Sequence, residues 1–282
     1  MRKPFRLSVL SLFAALIAPC VWSGCDDYDT DVVGTAFSPV NSLVSRFVHP
    51  VFVEYREGDV RVWGPNAGLV DVERDGARLS LTTSDDSLAL IVYGKASVDS
   101  LHPLGGQLKV SADRDFALYL SGLRLQSGHG PAVEVQTGDK VCYVVVTGKT
   151  NVLSDSVYTT QYADGYIQEA DGCIYVSGQL YFDGTGTLTL NNRALPRYDT
   201  DLGDSIYTHA LYARGGVVCN YALTAKLTSS CGDAIHTSGA PVKLVKGTWN
   251  LYPGREAINT EQAEISVGDA ATVYVNDSIQ TF

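Results

Sequence analysis

The chain has 282 residues, of which 45% are hydrophobic and 18% are charged, so its composition is that of a folded protein and not of a disordered or collagen-like one. Its formal net charge of −10 disfavours nucleic acid as a partner, because a surface with excess acid repels phosphate backbones. The length admits one large β domain or two ordinary ones, and composition alone leaves both open.

The first 24 residues predict a secretory signal. Basic residues at positions 2, 3 and 6 precede a mostly apolar stretch at 7–21, which is too short to span a membrane in a mature protein. Residues 22–25, Trp-Ser-Gly-Cys, resemble a bacterial lipobox, which implies that Cys25 is lipidated and becomes the first mature residue. An ordinary cleaved signal is the alternative. An acyl anchor would attach the protein to a membrane without spanning it.

Residues 25–45 predict an acidic tether in front of a single domain at 46–282. Four acids lie within residues 26–31, in a segment too polar to pack. They resemble the export signal of certain Gram-negative surface lipoproteins, which implies an outer membrane lipoprotein exposed on the cell surface. Under enteric-type sorting, Asp26 beside the lipid would instead indicate retention at the inner membrane. We expect the surface location.

The domain itself shows the alternation of β-strands. From about residue 51, apolar and polar residues alternate in short runs broken by Gly, Asp and Asn, and no stretch has helical periodicity. Pairs of apolar residues two positions apart predict one buried face for each strand. Such strands also fit a β-sandwich, so the spacing between them has to decide. The pairs include Val60 and Val62, Leu79 and Leu81, Leu108 and Val110, and Leu118 and Leu120.

A repeat decides the fold class. A small residue followed by an aliphatic one begins at positions 132, 173, 210, 234 and 257, and the two long steps contain polar excursions at 154–170 and 191–208. Without the excursions one period of about 23 residues remains. Two further apolar pairs follow in each unit at nearly fixed offsets. Three short strands per repeat predict one coil of a single-stranded parallel β-helix, whereas a propeller blade needs about twice this period.

Several of these coils resemble a known family. Residues 130–135, 148–155, 171–190 and 232–235 are similar to successive coils of the bacterial carbohydrate-binding domain-containing protein family, with 171–190 the most specific stretch. The resemblance covers about residues 100–262 well and 50–100 loosely. It implies a right-handed parallel β-helix similar to that of pectate lyases, and a secreted, calcium-associated binder of acidic or cellulosic plant-wall polysaccharide.

One predicted corner column could hold calcium. The residues directly before the small-aliphatic pairs should lie about 5 Å apart in successive coils. Asp233 and Glu256 in that column, with Asp171 at its edge, are the candidate ligands, because calcium takes oxygen ligands in a flexible shell. Solvated corner acids are the alternative. A second candidate is the acidic group in the later excursion, formed by Asp199, Asp201 and Asp204.

Tyrosines in the excursions predict a saccharide platform. A phenol offers a flat apolar face to a sugar ring and a hydroxyl to its polar edge. The alternative is that each tyrosine fixes its own loop to the coil surface. The candidates are Tyr158, Tyr162 and Tyr166 in the first excursion, and Tyr198 and Tyr207 in the second.

No nucleophilic, zinc or phosphate-binding motif is present, and the five histidines show no ligand spacing. Cys142, Cys173 and Cys219 are interpreted as small interior residues. The sequence therefore favours a surface lipoprotein that binds polysaccharide without catalysis, with calcium as a possible cofactor. The alternatives are a surface adhesin or assembly protein, and a calcium-dependent polysaccharide lyase that would use Arg255, or less suitably Arg214, as its base.

Overall fold

A computed structural model describes residues 43–94, 102–128, 130–155, 172–199 and 203–280. These residues form 25 β-strands and one short 3-10 helix, Ala67–Leu69, and they include no α-helix. The prediction of an all-β fold is therefore confirmed. The predicted signal, Cys25 and most of the tether lie outside the described residues. Within the described ranges, no helix is long and apolar enough to cross a membrane.

The strands follow one another with short connections. The first nine are β1 (His49–Arg56), β2 (Asp59–Trp63), β3 (Asp71–Asp75), β4 (Arg78–Thr83), β5 (Leu88–Gly94), β6 (Leu104–Gly105), β7 (Gln107–Ala112), β8 (Phe116–Leu120) and β9 (Arg124–Ser127). The next eight are β10 (Val133–Gln136), β11 (Val141–Val146), β12 (Thr150–Asp155), β13 (Gly172–Val176), β14 (Gln179–Gly184), β15 (Thr187–Asn192), β16 (Arg197–Asp199) and β17 (Asp204–Ile206). The last eight are β18 (His209–Ala213), β19 (Val217–Cys219), β20 (Thr224–Ser229), β21 (Ile235–His236), β22 (Val242–Tyr252), β23 (Ile258–Asn259), β24 (Ile265–Val275) and β25 (Ser278–Ile279).

Parallel pairing between successive repeats organises the fold. After β10 the chain forms β11 and β12 and then returns as β13, which pairs in parallel with β10. The same return brings β18 beside β13 and β21 beside β18. These returning strands build an eight-stranded sheet, and the two other strands of each repeat belong to a fifteen-stranded sheet. The repeat of three strands and its parallel pairing are thus as predicted, whereas the right-handed parallel β-helix stays a prediction.

The predicted apolar pairs fill a common interior. Val133, Ile174, Leu211, Ile235 and Ile258 lie in register in consecutive strands of the eight-stranded sheet, and each is buried. Cys142, Cys173 and Cys219 are fully buried, which confirms that they are interior residues. Cys231 is buried as well, and these four described cysteines are unbonded thiols. Burial of this apolar surface is the main favourable term in the stability of the coil.

Antiparallel hairpins depart from the predicted coil. The hairpin β1–β2 turns through Gly58 and β3–β4 turns through Gly76, and both glycines have positive φ (72° and 59°). At the other end, Asn276 and Asp277 adopt φ of 47° and 63° between β24 and β25. Consecutive positive φ values are typical of the tight turn that joins antiparallel strands. The chain therefore folds back on itself at both ends of the parallel strand stack, and once more in the second excursion as β16–β17.

Candidate functional site

The outer face of the eight-stranded sheet carries two rows of polar and aromatic side chains. Leu81, Val110 and Val135 point into the core, so the residues beside them in the strands point outward. Register then stacks the outward residues of consecutive strands. One row contains Ser80, Lys109, Glu134, Tyr175, Tyr212, His236 and Asn259. The neighbouring row contains Asp71, Thr82, Ser111 and Gln136.

A cleft of about 600 Å³ opens along the second row. Its outer wall is the loop before β3, which is tied to the sheet because Thr83 Oγ1 donates a hydrogen bond to the Leu69 carbonyl oxygen (3.0 Å). Ser177 Oγ fixes the far corner by accepting hydrogen bonds from the backbone N–H groups of Thr137 (2.8 Å) and Gly138 (3.1 Å). The lining residues are Gly68, Leu69, Asp71, Thr82, Thr83, Ser84, Ser111, Ala112, Asp113, Gln136, Thr137 and Gly138.

The lining of the cleft suits a ligand rich in hydroxyl groups. Threonine and serine hydroxyls both donate and accept hydrogen bonds, and the Gln136 amide donates through its nitrogen and accepts through its oxygen. The carboxylates of Asp71 and Asp113 only accept. Gln136 is oriented by donating from Nε2 to Glu134 Oε1 (3.0 Å). Glu134 Oε1 in turn lies 2.9 Å from Lys109 Nζ, so the row beside the cleft is charge-paired.

An aromatic patch lies further along the same face. Tyr212 packs edge-on against Tyr175 (centroids 5.3 Å apart) and against the ring of His236 (4.8 Å). The Tyr212 hydroxyl lies 2.7 Å from Ser238 Oγ, which holds the ring in place. Tyr212 is half-buried, whereas Tyr175 is buried. From the strand of Gln136 to that of Tyr212 is two strand spacings, or about 10 Å, so the cleft and the patch are neighbours on one surface.

A His–Asp–His cluster sits at the corner where these strands begin. His236 Nδ1 lies 2.9 Å from Asp233 Oδ2, and His209 Nδ1 lies 3.3 Å from the same oxygen. The two imidazole rings stack with centroids 4.1 Å apart. The Asp233 backbone N–H donates to His209 Nδ1 (3.0 Å). Asp233 Oδ1 accepts from the backbone N–H of Glu256 (3.1 Å).

Burial and hydrogen bonding set the charges in this cluster. Burial by itself would raise the pKa of Asp233, but the contacts with His209 and His236 outweigh it and hold that pKa well below its usual value. Burial lowers the pKa of His209, and Asp233 offsets only part of the effect. The cluster therefore holds an ionised carboxylate beside a neutral imidazole near neutral pH.

The cluster has the composition of a metal site but not its geometry. Ligand atoms of His209, Asp233 and His236 all lie within 4.8 Å of one another. The ring planes of the two histidines are only 11° from parallel, so their nitrogen lone pairs run side by side and do not converge on one ion. Both oxygens of Asp233 already accept hydrogen bonds. We interpret the cluster as a hydrogen-bonded support for the adjoining strands.

The predicted calcium ligands are only partly described. His209, Asp233 and Glu256 do lie next to one another in successive repeats, because the Asp233 backbone N–H donates to His209 Nδ1 and the Glu256 backbone N–H donates to Asp233 Oδ1. Asp233 is buried while Glu256 is exposed, and a calcium ion would have to displace the partners that Asp233 has. Asp171 lies outside the described residues, so calcium here stays a prediction. In the second group, the backbones of Asp199 and Asp204 lie opposite each other in the β16–β17 hairpin, and Asp201 lies outside the described residues.

The predicted tyrosine platform is also described in part. Tyr158, Tyr162 and Tyr166 lie outside the described ranges. Tyr198 is 64% exposed on the β16–β17 hairpin. Tyr207 is half-buried, and the Arg255 guanidinium carbon lies 4.3 Å from the centroid of its ring. The two described tyrosines thus differ, since Tyr198 is open to solvent and Tyr207 has a cation on one face.

Sequence reasoning missed the cleft, the aromatic patch and the histidine cluster of the eight-stranded sheet. The signal for the histidine cluster was present, because His236 follows Asp233 by three residues and His209 precedes Asp233 by one repeat. The three residues show no metal-ligand spacing along the chain, because the repeat brings His209 to the other two. The cleft had no such signal, because its outer wall comes from a loop that precedes the regular repeats.

The comparisons with known proteins point to one family. A family model described as "Carbohydrate-binding domain-containing protein" matches residues 102–278, which is more than half of the chain. The matched region includes the cleft residues from Ser111 onward, the aromatic patch and the histidine cluster. The curated proteins gave no match to this chain, and the solved structures gave none either.

Proposed function

Because the chain belongs to the carbohydrate-binding domain-containing protein family, we propose that it binds a polysaccharide, without cleaving it, along the outer face of the eight-stranded sheet. The observation that carries this proposal is the cleft beside Gln136, which shares one face with the half-buried ring of Tyr212. Polar groups in a cleft and a flat aromatic ring beside it are the two kinds of contact that a sugar chain uses.

Successive sugar units would meet successive strands. The strands of this sheet lie about 4.8 Å apart, a spacing close to the length of one sugar unit, so an extended glycan running across them presents one unit to each strand. Hydroxyl groups would exchange hydrogen bonds with Ser111 and Gln136 in the cleft. The Tyr212 ring would then cover the apolar face of a unit about two strands further along.

Binding of the variants to a panel of purified polysaccharides tests this proposal. Tyr212→Ala should weaken binding about tenfold, a typical loss for an aromatic contact, and Gln136→Ala should weaken it as well. Tyr212→Phe keeps the ring and should bind nearly as the wild type does. Tyr198→Ala is the matched control, because Tyr198 lies on the β16–β17 hairpin.

The control separates two surfaces. If Tyr198→Ala weakens binding and Tyr212→Ala does not, the excursions form the platform and the face of the sheet does not. If no polysaccharide in the panel binds the wild type, the proposed function is wrong. Melting curves of each variant exclude loss of binding through unfolding.

We further propose that the parallel strands wind as a right-handed β-helix. We also propose that the protein acts at the cell surface, anchored by a lipid on Cys25. The lipobox-like residues 22–25 and the acidic segment after them support the anchor. Cys25→Ala should release the protein from the membrane or leave it as a precursor. Antibody should label intact cells that carry the wild type, and labelling only after lysis would contradict the surface location.

Calcium and catalysis have less support. A calcium ion that binds only the folded state would raise the melting temperature, so a calcium titration tests the predicted ligands Asp233 and Glu256. The lyase alternative needs a base near the same corner. Arg255, its first candidate, lies against the ring of Tyr207, which gives it a structural contact. No observation favours the lyase or the adhesin over binding.

A further inference from the structure

We propose that the cleft selects its glycan by charge, taking amino-substituted chains best, neutral chains next, and chains of uronic acids or sulfated sugars least. This inference rests on the proposed function, because it names the class of polysaccharide for the same site. It departs from one expectation of the family resemblance, which includes binders of acidic plant-wall polysaccharide.

The charges that line the cleft all have one sign. Asp71 and Asp113 are both exposed, and the described lining residues include no lysine, arginine or histidine. Within the described part of the chain, neither carboxylate has a side-chain partner. Asp113 is held in place through its backbone N–H, which donates to the Thr83 carbonyl oxygen (3.4 Å), so its side chain remains available to a ligand.

The cations around the cleft are mostly engaged with other acids. Lys109 Nζ lies 2.9 Å from Glu134 Oε1, and Lys140 Nζ lies 2.8 Å from Asp139 Oδ1. Arg114 follows Asp113 in the chain and is exposed, but it is not among the residues that line the cleft. The protein as a whole carries a net charge of −10, so the long-range field has the same sign as the local one.

Carboxylates in a cleft discriminate between sugars by the hydrogen-bond donors and the charges that each sugar presents. A carboxylate only accepts hydrogen bonds, and it binds an ammonium group more strongly than a neutral hydroxyl because the contact is charge-assisted. A uronate carboxylate offers no donor and places like charges side by side, which is unfavourable in a partly desolvated site. Asp71 and Asp113 should therefore attract an amino sugar, accept from a neutral one and repel a uronate.

The test compares three oligosaccharides of equal length and equal linkage, built from glucosamine, glucose and glucuronate. Affinities are measured by calorimetry with the full-length mature protein, at low salt, in the presence of a chelator, and at a weakly acidic pH at which the amino groups are protonated. We expect affinity to fall in the order glucosamine, glucose, glucuronate, with at least a tenfold difference between the first and the last.

Two matched variants locate the effect. Asp113→Asn keeps the size of the side chain and removes its charge. It should therefore reduce the ratio of the glucosamine affinity to the glucuronate affinity at least threefold. Glu73→Gln removes an exposed acid on β3 that does not line the cleft, and it should leave the preference unchanged. Added salt should narrow the preference of the wild type, because the selectivity is electrostatic.

The outcomes separate the inference from the function on which it rests. Tightest binding of glucuronate in the presence of chelator overturns the charge selection while leaving carbohydrate binding intact. An unchanged preference in Asp113→Asn also overturns it, since the charge would then act from elsewhere. Tight glucuronate binding that requires added calcium would replace it with a metal bridge between carboxylates. If none of the three oligosaccharides binds, and no other glycan does, the proposed function fails as well.

Discussion

Asp155 provides a direct test of how the polar corner of the coil is stabilised. This residue ends β12 and is fully buried. Its Oδ1 accepts a hydrogen bond from the backbone N–H of Arg193 (2.7 Å), and its Oδ2 accepts one from Asn192 Nδ2 (2.7 Å). Burial raises the pKa of Asp155 to about 7, because these two hydrogen bonds compensate only part of the lost hydration. The carboxyl group is thus kept neutral up to unusually high pH.

The raised pKa fixes the sign of a pH effect on stability. In the unfolded chain an aspartate has a pKa near 3.9, so between about pH 4 and pH 7 the folded state holds a proton that the unfolded state has released. The contribution of Asp155 to the free energy of unfolding should therefore fall as pH rises through this window. A shift of about three units at roughly 1.36 kcal/mol per unit gives a total of about 4 kcal/mol. Above about pH 7 this contribution should be constant.

Asp155→Asn removes the titratable carboxyl group and leaves the size and shape of the side chain nearly unchanged. Urea unfolding of the wild type and the variant, at intervals from about pH 4 to about pH 8, gives the difference in the free energy of unfolding at each pH. We expect the variant to gain up to about 4 kcal/mol on the wild type across this range, mostly between about pH 5 and pH 7. Other titrating groups affect both proteins equally and cancel in the difference.

A control and a contrary result complete the experiment. Asp113→Asn changes an exposed acid, and its difference from the wild type should stay within about 0.5 kcal/mol at every pH. The contrary result is a difference in the free energy of unfolding between Asp155→Asn and the wild type that is the same at about pH 4 and at about pH 8. Asp155 would then be ionised in the folded protein throughout this range. The corner would then hold a charge, and the argument from burial would be wrong.

Three further predictions concern the coil itself. The contribution of His209 to the free energy of unfolding should fall below about pH 6.5, because burial lowers the pKa of His209 and only the unfolded state gains its proton; in urea unfolding, His209→Phe should therefore gain stability relative to the wild type as pH falls from about 6.5. Ile235→Pro should destabilise by about 3 kcal/mol or more, since it removes a backbone donor between coils, and an unchanged melting temperature would contradict the register. Gly186→Ala should cost about 3 kcal/mol, because a Cβ there would overlap the Thr147 carbonyl oxygen, whereas Gly148→Ala, with open space, should cost little.

The repeat made much of the fold predictable from the sequence. An inward position in one coil must have an inward partner in the next, so Val133, Ile174 and Leu211 could be aligned before their pairing was known. The same period brings His209 and Asp233, which lie one repeat apart in the sequence, within hydrogen-bond distance of each other. Burial of apolar residues imposes this regularity, and a fixed period transmits it along the chain.

The departures from the repeat could not be predicted in the same way. Hairpins at Gly58 and Gly76 depend on local turn geometry, which the period does not encode. The loop before β3 forms one wall of the cleft, and its position depends on the hydrogen bond between Thr83 and Leu69. A binding site built partly from irregular segments is therefore less visible in the sequence than the coil that supports it.

Stacking in register gives the cleft its chemical character. In a parallel stack each outward side chain lies about 4.8 Å from its neighbours, so a charge is close to whatever occupies the next strand. Elsewhere on this face the acids have partners, since Lys109 pairs with Glu134 and Asp233 accepts a hydrogen bond from His236. Asp71 and Asp113 have no such partner in the described part of the chain. Because the acids outside the cleft have partners and the two acids within it do not, the proposed ligand is one that supplies hydrogen-bond donors or positive charge.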